Sequence, residues 1–124
     1  MSYCSDVKCV LYKRDWERIK NKILSEVDEN DGRTYLFKNP DEVQERGSVV
    51  IVSWDYARWY EGTDEAIDMF MKFLDECDED KTPYHYIRLG EYVDDIEERY
   101  NYGFNAEECE AFAIIRVGIM VQPE

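Results

Sequence analysis

The chain has 124 residues, 29 of them acidic and 15 basic, for a formal net charge of −14. That length suits a single domain over residues 1–124, and a hydrophobic content of 44% with 15% aromatic residues excludes an intrinsically disordered chain. The charge excludes direct binding to nucleic acid or to an anionic membrane surface, because both need a basic face.

Apolar runs stop after a handful of residues, far short of the roughly 20 that a membrane-spanning helix needs. Met1-Ser2-Tyr3-Cys4-Ser5-Asp6 does not read as a signal peptide, so a cytoplasmic location is expected. Cys4, Cys9, Cys77 and Cys109 include no C-x-x-C pair and have no histidine nearby. That spacing argues against zinc and against a disulfide framework, leaving reduced, mostly buried thiols. No cofactor or metal is expected.

The predicted elements begin with a strand over Asp6–Lys13, where β-branched and alternating residues fall together. A helix follows, with Trp16, Ile19, Ile23 and Val27 on one stripe, Asp15 as its cap and Gly32 just past its end. Residues 30–47 are broken by Asn, Asp, Gly and Pro, with Thr34-Tyr35-Leu36-Phe37 as a short edge strand. The continuous apolar run Ser48–Trp54 predicts a strand inside the sheet. A second helix starts near Thr63, its apolar face formed by Ile67, Phe70, Met71, Leu74 and Cys77. It ends in Asp78-Glu79-Asp80, where negative charge opposes the helix dipole and breaks a local rule.

Tyr84–Leu89 is the next strand and carries His85, the lone histidine, as an ordinary strand residue. Val93, Ile96 and Tyr100 at helical spacing predict a short helix over Glu91–Tyr100, and Ala111–Val121 predicts a last strand. The expected fold is α+β: an antiparallel or mixed sheet of four or five strands with two main helices on one face. The element order also accommodates a ferredoxin-like β-α-β-β-α-β core.

The charge is not spread evenly. Residues 1–60 hold 11 acids and 10 bases, while residues 61–110 hold 17 acids and 4 bases, a net of −13. Three runs carry it: Asp75-Glu76-Cys77-Asp78-Glu79-Asp80, Asp94-Asp95-Ile96-Glu97-Glu98 and Glu107-Glu108-Cys109-Glu110. Like charges within a Debye length of about 8–10 Å repel and destabilise a fold. A one-sided field therefore suggests selection for something other than solubility. A dense carboxylate array can imitate the phosphates of a nucleic acid, which present about one charge per 1.7 Å of duplex axis. It would fill a basic groove and block it. The aromatic segment Trp54-Asp55-Tyr56-Ala57-Arg58-Trp59-Tyr60 and Tyr92, Tyr100 and Tyr102 beside the second run supply contact groups of the kind common at interface hot spots. The partner-binding candidates are therefore Asp75, Glu76, Asp78, Glu79, Asp80, Asp94, Asp95, Glu97, Glu98, Glu107 and Glu108, with Trp59, Tyr60 and Tyr92.

Phosphate-loop, dinucleotide and nucleophile-elbow motifs are missing from the sequence. Glu79-Asp80-Lys81 matches an E-x-K nuclease fragment, but a chain this acidic would repel its substrate. Asp75, Asp78 and Asp80 lack the spacing and central glycine of a calcium loop. No catalytic residue is assigned.

The stretches Val52–Tyr60 and Tyr86–Glu98 resemble parts of small acidic proteins of bacteriophages and mobile elements, a group that overlaps anti-CRISPR and anti-restriction proteins in size and charge. The resemblance implies a phage-encoded inhibitor acting in the host bacterial cytoplasm on a basic nucleic-acid-binding protein. An immunity protein against a cognate toxin, and a non-catalytic interaction domain using the aromatic patch, are the competing expectations.

Overall fold

The computed structural model describes residues 3–27, 34–92 and 94–101. β1 (Ser5–Tyr12) runs straight into α1 (Lys13–Glu26), then α2 (Tyr35–Lys38), β2 (Glu42–Arg46), β3 (Val49–Ala57), α3 (Glu65–Asp80), β4 (Tyr84–Leu89) and β5 (Ile96–Asn101). The five strands form one antiparallel sheet in the order β2-β3-β1-β4-β5. The fold is α+β. Its first four strands with α1 and α3 follow a β-α-β-β-α-β path in the split order of ferredoxin-like folds, and β5 extends the sheet as a hairpin on β4.

Alternation sorts the strands into two faces. Cys9 lies opposite Val52 and Tyr86, and Leu11 opposite Val50 and Tyr84, so these side chains share one face. Both main helices pack there: Trp16, Ile19 and Ile23 from α1, and Ile67, Phe70 and Leu74 from α3. Trp54 sits at the centre, its ring centroid 4.9 Å from Trp59, 5.4 Å from Phe37, 5.9 Å from Phe70 and 6.1 Å from Trp16. Its indole N–H donates to the Leu36 carbonyl at 2.6 Å, so the buried polar atom is satisfied. The opposite face carries a smaller buried cluster of Val10, Val49, Ile51 and Ile87, joined by Tyr12 and Leu89. His85 lies on that second face as a buried strand residue, 2.7 Å from Glu98. Cys4, Cys9 and Cys77 are buried free thiols, and burial pushes Cys77 up to about 12, which leaves it unreactive at neutral pH. No helix among the described residues is long and apolar enough to cross a membrane.

Several local expectations are corrected. Thr34–Phe37 is no edge strand: α2 occupies Tyr35–Lys38, a single helical turn that buries Leu36 and Phe37 in the core shared with Trp54. The true edge strand is β2, whose five residues are all exposed and four of which are polar or charged, a composition that discourages pairing with another chain. It joins β3 through a two-residue turn at Gly47-Ser48, with Gly47 at φ 63°. Residues 96–101 are β5 and not helix, since six consecutive pairs with β4 outweigh the spacing of Ile96 and Tyr100. Asp15 does not cap α1. Tyr12 is the N-cap, while Asp15 lies buried in the first turn with Oδ1 3.5 Å from Arg18. The cap of α3 is Asp64 and not Thr63. The expected strand Ala111–Val121 lies outside the described residues, as do Gly32, Val93, Tyr102 and Cys109.

Because Phe37 touches Trp16, Trp54, Trp59 and Phe70, its loss leaves a cavity at the meeting point of both helices and the sheet. Phe37→Ala is expected to destabilise the fold by about 3–5 kcal/mol, read as a fall in the urea midpoint with the slope unchanged.

Candidate acidic interaction face

α3 is built by its apolar stripe. Ala66, Ile67, Phe70, Met71, Phe73, Leu74 and Cys77 all turn inward, which forces Glu65, Asp68, Asp75, Glu76, Asp78, Glu79 and Asp80 outward. Lys72 is the one basic residue within the helix. The C-terminus, where acids oppose the dipole, is closed by Lys81 in a left-handed conformation at φ 57°, with the Thr82 N–H donating to the Cys77 carbonyl at 2.8 Å. A lysine at this cap offsets part of the repulsion.

Two arginines tie the first two acidic runs to the fold. Arg99 of β5 reaches across to α3, its Nη2 2.7 Å from Asp75 and 3.1 Å from Asp78. The Tyr84 hydroxyl also donates to Asp78, at 2.9 Å. Arg88 of β4 donates to both Asp95 oxygens, at 3.2 and 2.9 Å, and lies 3.3 Å from Glu97. These bonds hold the Asp95 carboxyl below its ordinary range, first through Arg88 and then through the Tyr3 hydroxyl. A Cβ at Gly90 would meet the Asp95 carboxylate and the Tyr3 hydroxyl, so a larger residue there would displace this pair of side chains.

The Arg99 bonds set β5 against α3, with Glu97 on the same sheet face as Arg99, while Glu98 lies on the opposite face with His85; sequence separation alone does not reveal either placement. The structure also divides the carboxylates of the two runs by role. Asp75, Asp78, Asp95, Glu97 and Glu98 are held in internal pairs. Glu76, Glu79, Asp80 and Asp94 are exposed and make no ion pair among the described residues. Glu107 and Glu108 lie outside the described residues. Of the aromatic candidates, Trp59 is corrected: at 5% exposure its ring is core and offers no surface to a partner. Tyr60 is half-buried, its hydroxyl accepting from the Tyr3 N–H at 3.0 Å. Tyr92 is 69% exposed and packs its ring 5.6 Å from that of Tyr3.

Sequence reading missed Glu61, and nothing in its neighbourhood flagged it. It precedes α3, and folding sets it beside Glu97, thirty-six positions along the chain. Partial burial, reinforced by the Glu97 charge and a shared hydrogen bond, raises its carboxyl to about 7. Among the described residues no three His, Cys, Asp or Glu side chains converge as a metal site. Comparison with family models, curated proteins and solved structures returns no match.

A carboxyl raised by folding costs stability as pH climbs, because the unfolded chain ionises freely above about pH 4.5 while the folded chain resists until about 7. Glu61→Gln removes that penalty. The variant is expected to gain about 1 kcal/mol or less over the parent near pH 8, since the side chain remains partly hydrated. The two should coincide below about pH 4.5. Urea midpoints at both ends of this window measure the difference, and an equal offset at both ends refutes the assignment.

Proposed function

We propose that this protein is an inhibitor that occupies the basic nucleic-acid-binding site of another protein, in the manner of anti-CRISPR and anti-restriction mimics. The observation that supports this reading is the outer face of α3. Seven carboxylates lie on a 16-residue helix, which at 1.5 Å per residue is about 24 Å long. Asp75 and Asp78 are paired with Arg99, so five carboxylates are left to act outward, about one per 4.8 Å of axis against 3.4 Å along one strand of B-DNA. Five of the seven fall in the last six residues, so the field is strongest at the C-terminal end. The β4–β5 hairpin adds carboxylates beside it, and Arg99 fixes the two elements against each other. A basic groove would meet a rigid row of charges instead of flexible side chains on a loop, and rigid placement lowers the entropy cost of binding.

The partition of carboxylates sets the test. Glu76, Glu79, Asp80 and Asp94 make no ion pair among the described residues, so the variant E76Q/E79Q/D80N/D94N removes field without removing fold. Capture of partners from nuclease-treated host lysate, washed in steps of rising salt, should retain a basic nucleic-acid-binding protein that elutes as salt increases. The four-site variant is expected to bind that partner tenfold or more weakly, about 1.4 kcal/mol, with an unchanged or raised melting temperature. Undiminished binding by the variant would sink the mimic mechanism.

A further inference from the structure

Where β3 leaves the sheet, a groove of about 700 Å³ opens between α2 and the segment Asp55–Arg58. Its walls include the rings of Tyr35 and Tyr56, and Trp54 and Leu36 give it apolar backing. Asp41 and Asp55 bring carboxylates into the same lining. Tyr35 is 53% and Tyr56 72% exposed; Tyr92 and Tyr100 are the other large rings exposed to this degree among the described residues. Tyr56 is held in place by the backbone. The β1–β3 register shifts between Ser5 and Val7, and Tyr56 takes up the irregularity at φ 52°, a conformation costly for a side chain of its size. Asp6 holds it there by accepting from the Tyr56 N–H at 2.8 Å, as Asp41 does from the Asp55 N–H at 2.6 Å. The bulge turns the Tyr56 ring outward beside the groove, where glycine or asparagine would have met the backbone demand more cheaply.

We infer that this groove receives an arginine side chain of a protein partner, seated between Tyr35 and Tyr56 with its guanidinium toward Asp41 and Asp55. A planar guanidinium can stack on an aromatic face and bond carboxylates as a fork, which an ammonium cannot do. The local field favours a cation. Partial burial, then Asp41 and Asp6, raise the Asp55 carboxyl, and Lys8 offsets this only in part. Arg58 also lines the groove, one base against the two carboxylates of Asp41 and Asp55. The volume exceeds one side chain and falls within the range of ordinary ligand sites, leaving room for the partner's flanking backbone. The inference rests on the reading of this protein as a binder of basic proteins. It supplies that reading with a specific anchor, since a carboxylate row alone confers rate and general attraction more than register.

The test titrates the full chain with a capped Gly-Arg-Gly peptide, with its lysine counterpart, and with a citrulline counterpart of the same shape but no charge. Backbone amide shifts are followed by NMR. Millimolar binding is expected, strongest for arginine, with shifts at Tyr35, Asp41, Asp55 and Tyr56. Tyr35→Ala and Asp55→Asn should each weaken it by roughly two- to fivefold. Tyr56→Gly removes the second ring while suiting the positive φ, and Tyr35 stands on an exposed position of α2, so the two variants guard against loss of fold. Equal binding of the citrulline peptide, shifts confined to α3, or no shifts at all would overturn the groove assignment. Any of these would leave the acidic-face reading standing, because that reading is scored by the four-site α3 and hairpin variant.

Discussion

The three described helices are set against the sheet by one buried contact set, the packing of Trp54 against Trp16, Phe37, Trp59 and Phe70. Trp54 belongs to β3, Trp16 to α1, Phe37 to α2 and Phe70 to α3, so a single indole links the sheet to each helix of the described residues. Its N–H bond to the Leu36 carbonyl fixes the one-turn helix that presents Tyr35. Trp59, three residues before Gly62, anchors the loop that carries Glu61 and leads into α3. Aromatic pairs of this kind contribute about 0.5–1.5 kcal/mol each beyond their buried area, and their geometry limits how the elements can slide. A short helix such as α2 has almost no intrinsic stability and exists because Leu36 and Phe37 are buried.

Charge is the opposing constraint. A net of −13 over residues 61–110 would repel itself apart if every carboxylate faced only its neighbours. Four bases serve that stretch, and the two arginines are spent where acids crowd most, Arg99 between α3 and β5 and Arg88 at the base of the β4–β5 hairpin. Each guanidinium meets two carboxylates, Asp75 and Asp78 of α3 for Arg99 and Asp95 and Glu97 of the β4–β5 hairpin for Arg88. Arginine suits this because its planar fork bonds two oxygens without a change of rotamer. Glu76, Glu79, Asp80 and Asp94 are exposed, and hydration limits their mutual repulsion.

The regular elements were legible where one physical signal dominated. β1, β3 and β4 announce themselves by apolar runs, and α1 and α3 by stripes at three and four, because burial on one face determines both pattern and structure. Legibility failed at the sheet edges. β2 has one apolar residue in five and β5 is half charged, since each owes its place to backbone pairing with a described neighbour, joined in β5 by the ion pairs of Glu97 and Arg99. In β5 the spacing of Ile96 and Tyr100 suits helix, and only pairing with β4 decides otherwise. The segment 54–60 was ambiguous for a different reason. Trp54, Ala57 and Trp59 point inward and Asp55, Tyr56 and Arg58 outward, but the bulge at Tyr56 breaks the alternation that would have separated them. For the acidic face, the runs were visible, but their placement depended on long-range partners. The Arg99–Asp75 bond spans 24 positions and the Glu61–Glu97 contact more, and composition carries no trace of either.

Under the proposed reading, the two surfaces would divide the work of recognition along physical lines. Exposed carboxylates on α3 would act over a Debye length, raising encounter rates and weakening as salt is added. A partly desolvated groove with aromatic walls acts only at contact, where the local dielectric is lower and screening is poorer. The groove's carboxylates therefore hold an advantage per charge that α3 makes up only in number. This difference predicts how the molecule tolerates change. Substituting any one acid on α3 removes a small share of a summed field, whereas the groove depends on a backbone conformation at Tyr56 that few residues adopt. A chain under pressure to keep binding while its surface drifts would thus vary its acidic runs in position and length and hold the bulge, Asp6 and Asp41 in place.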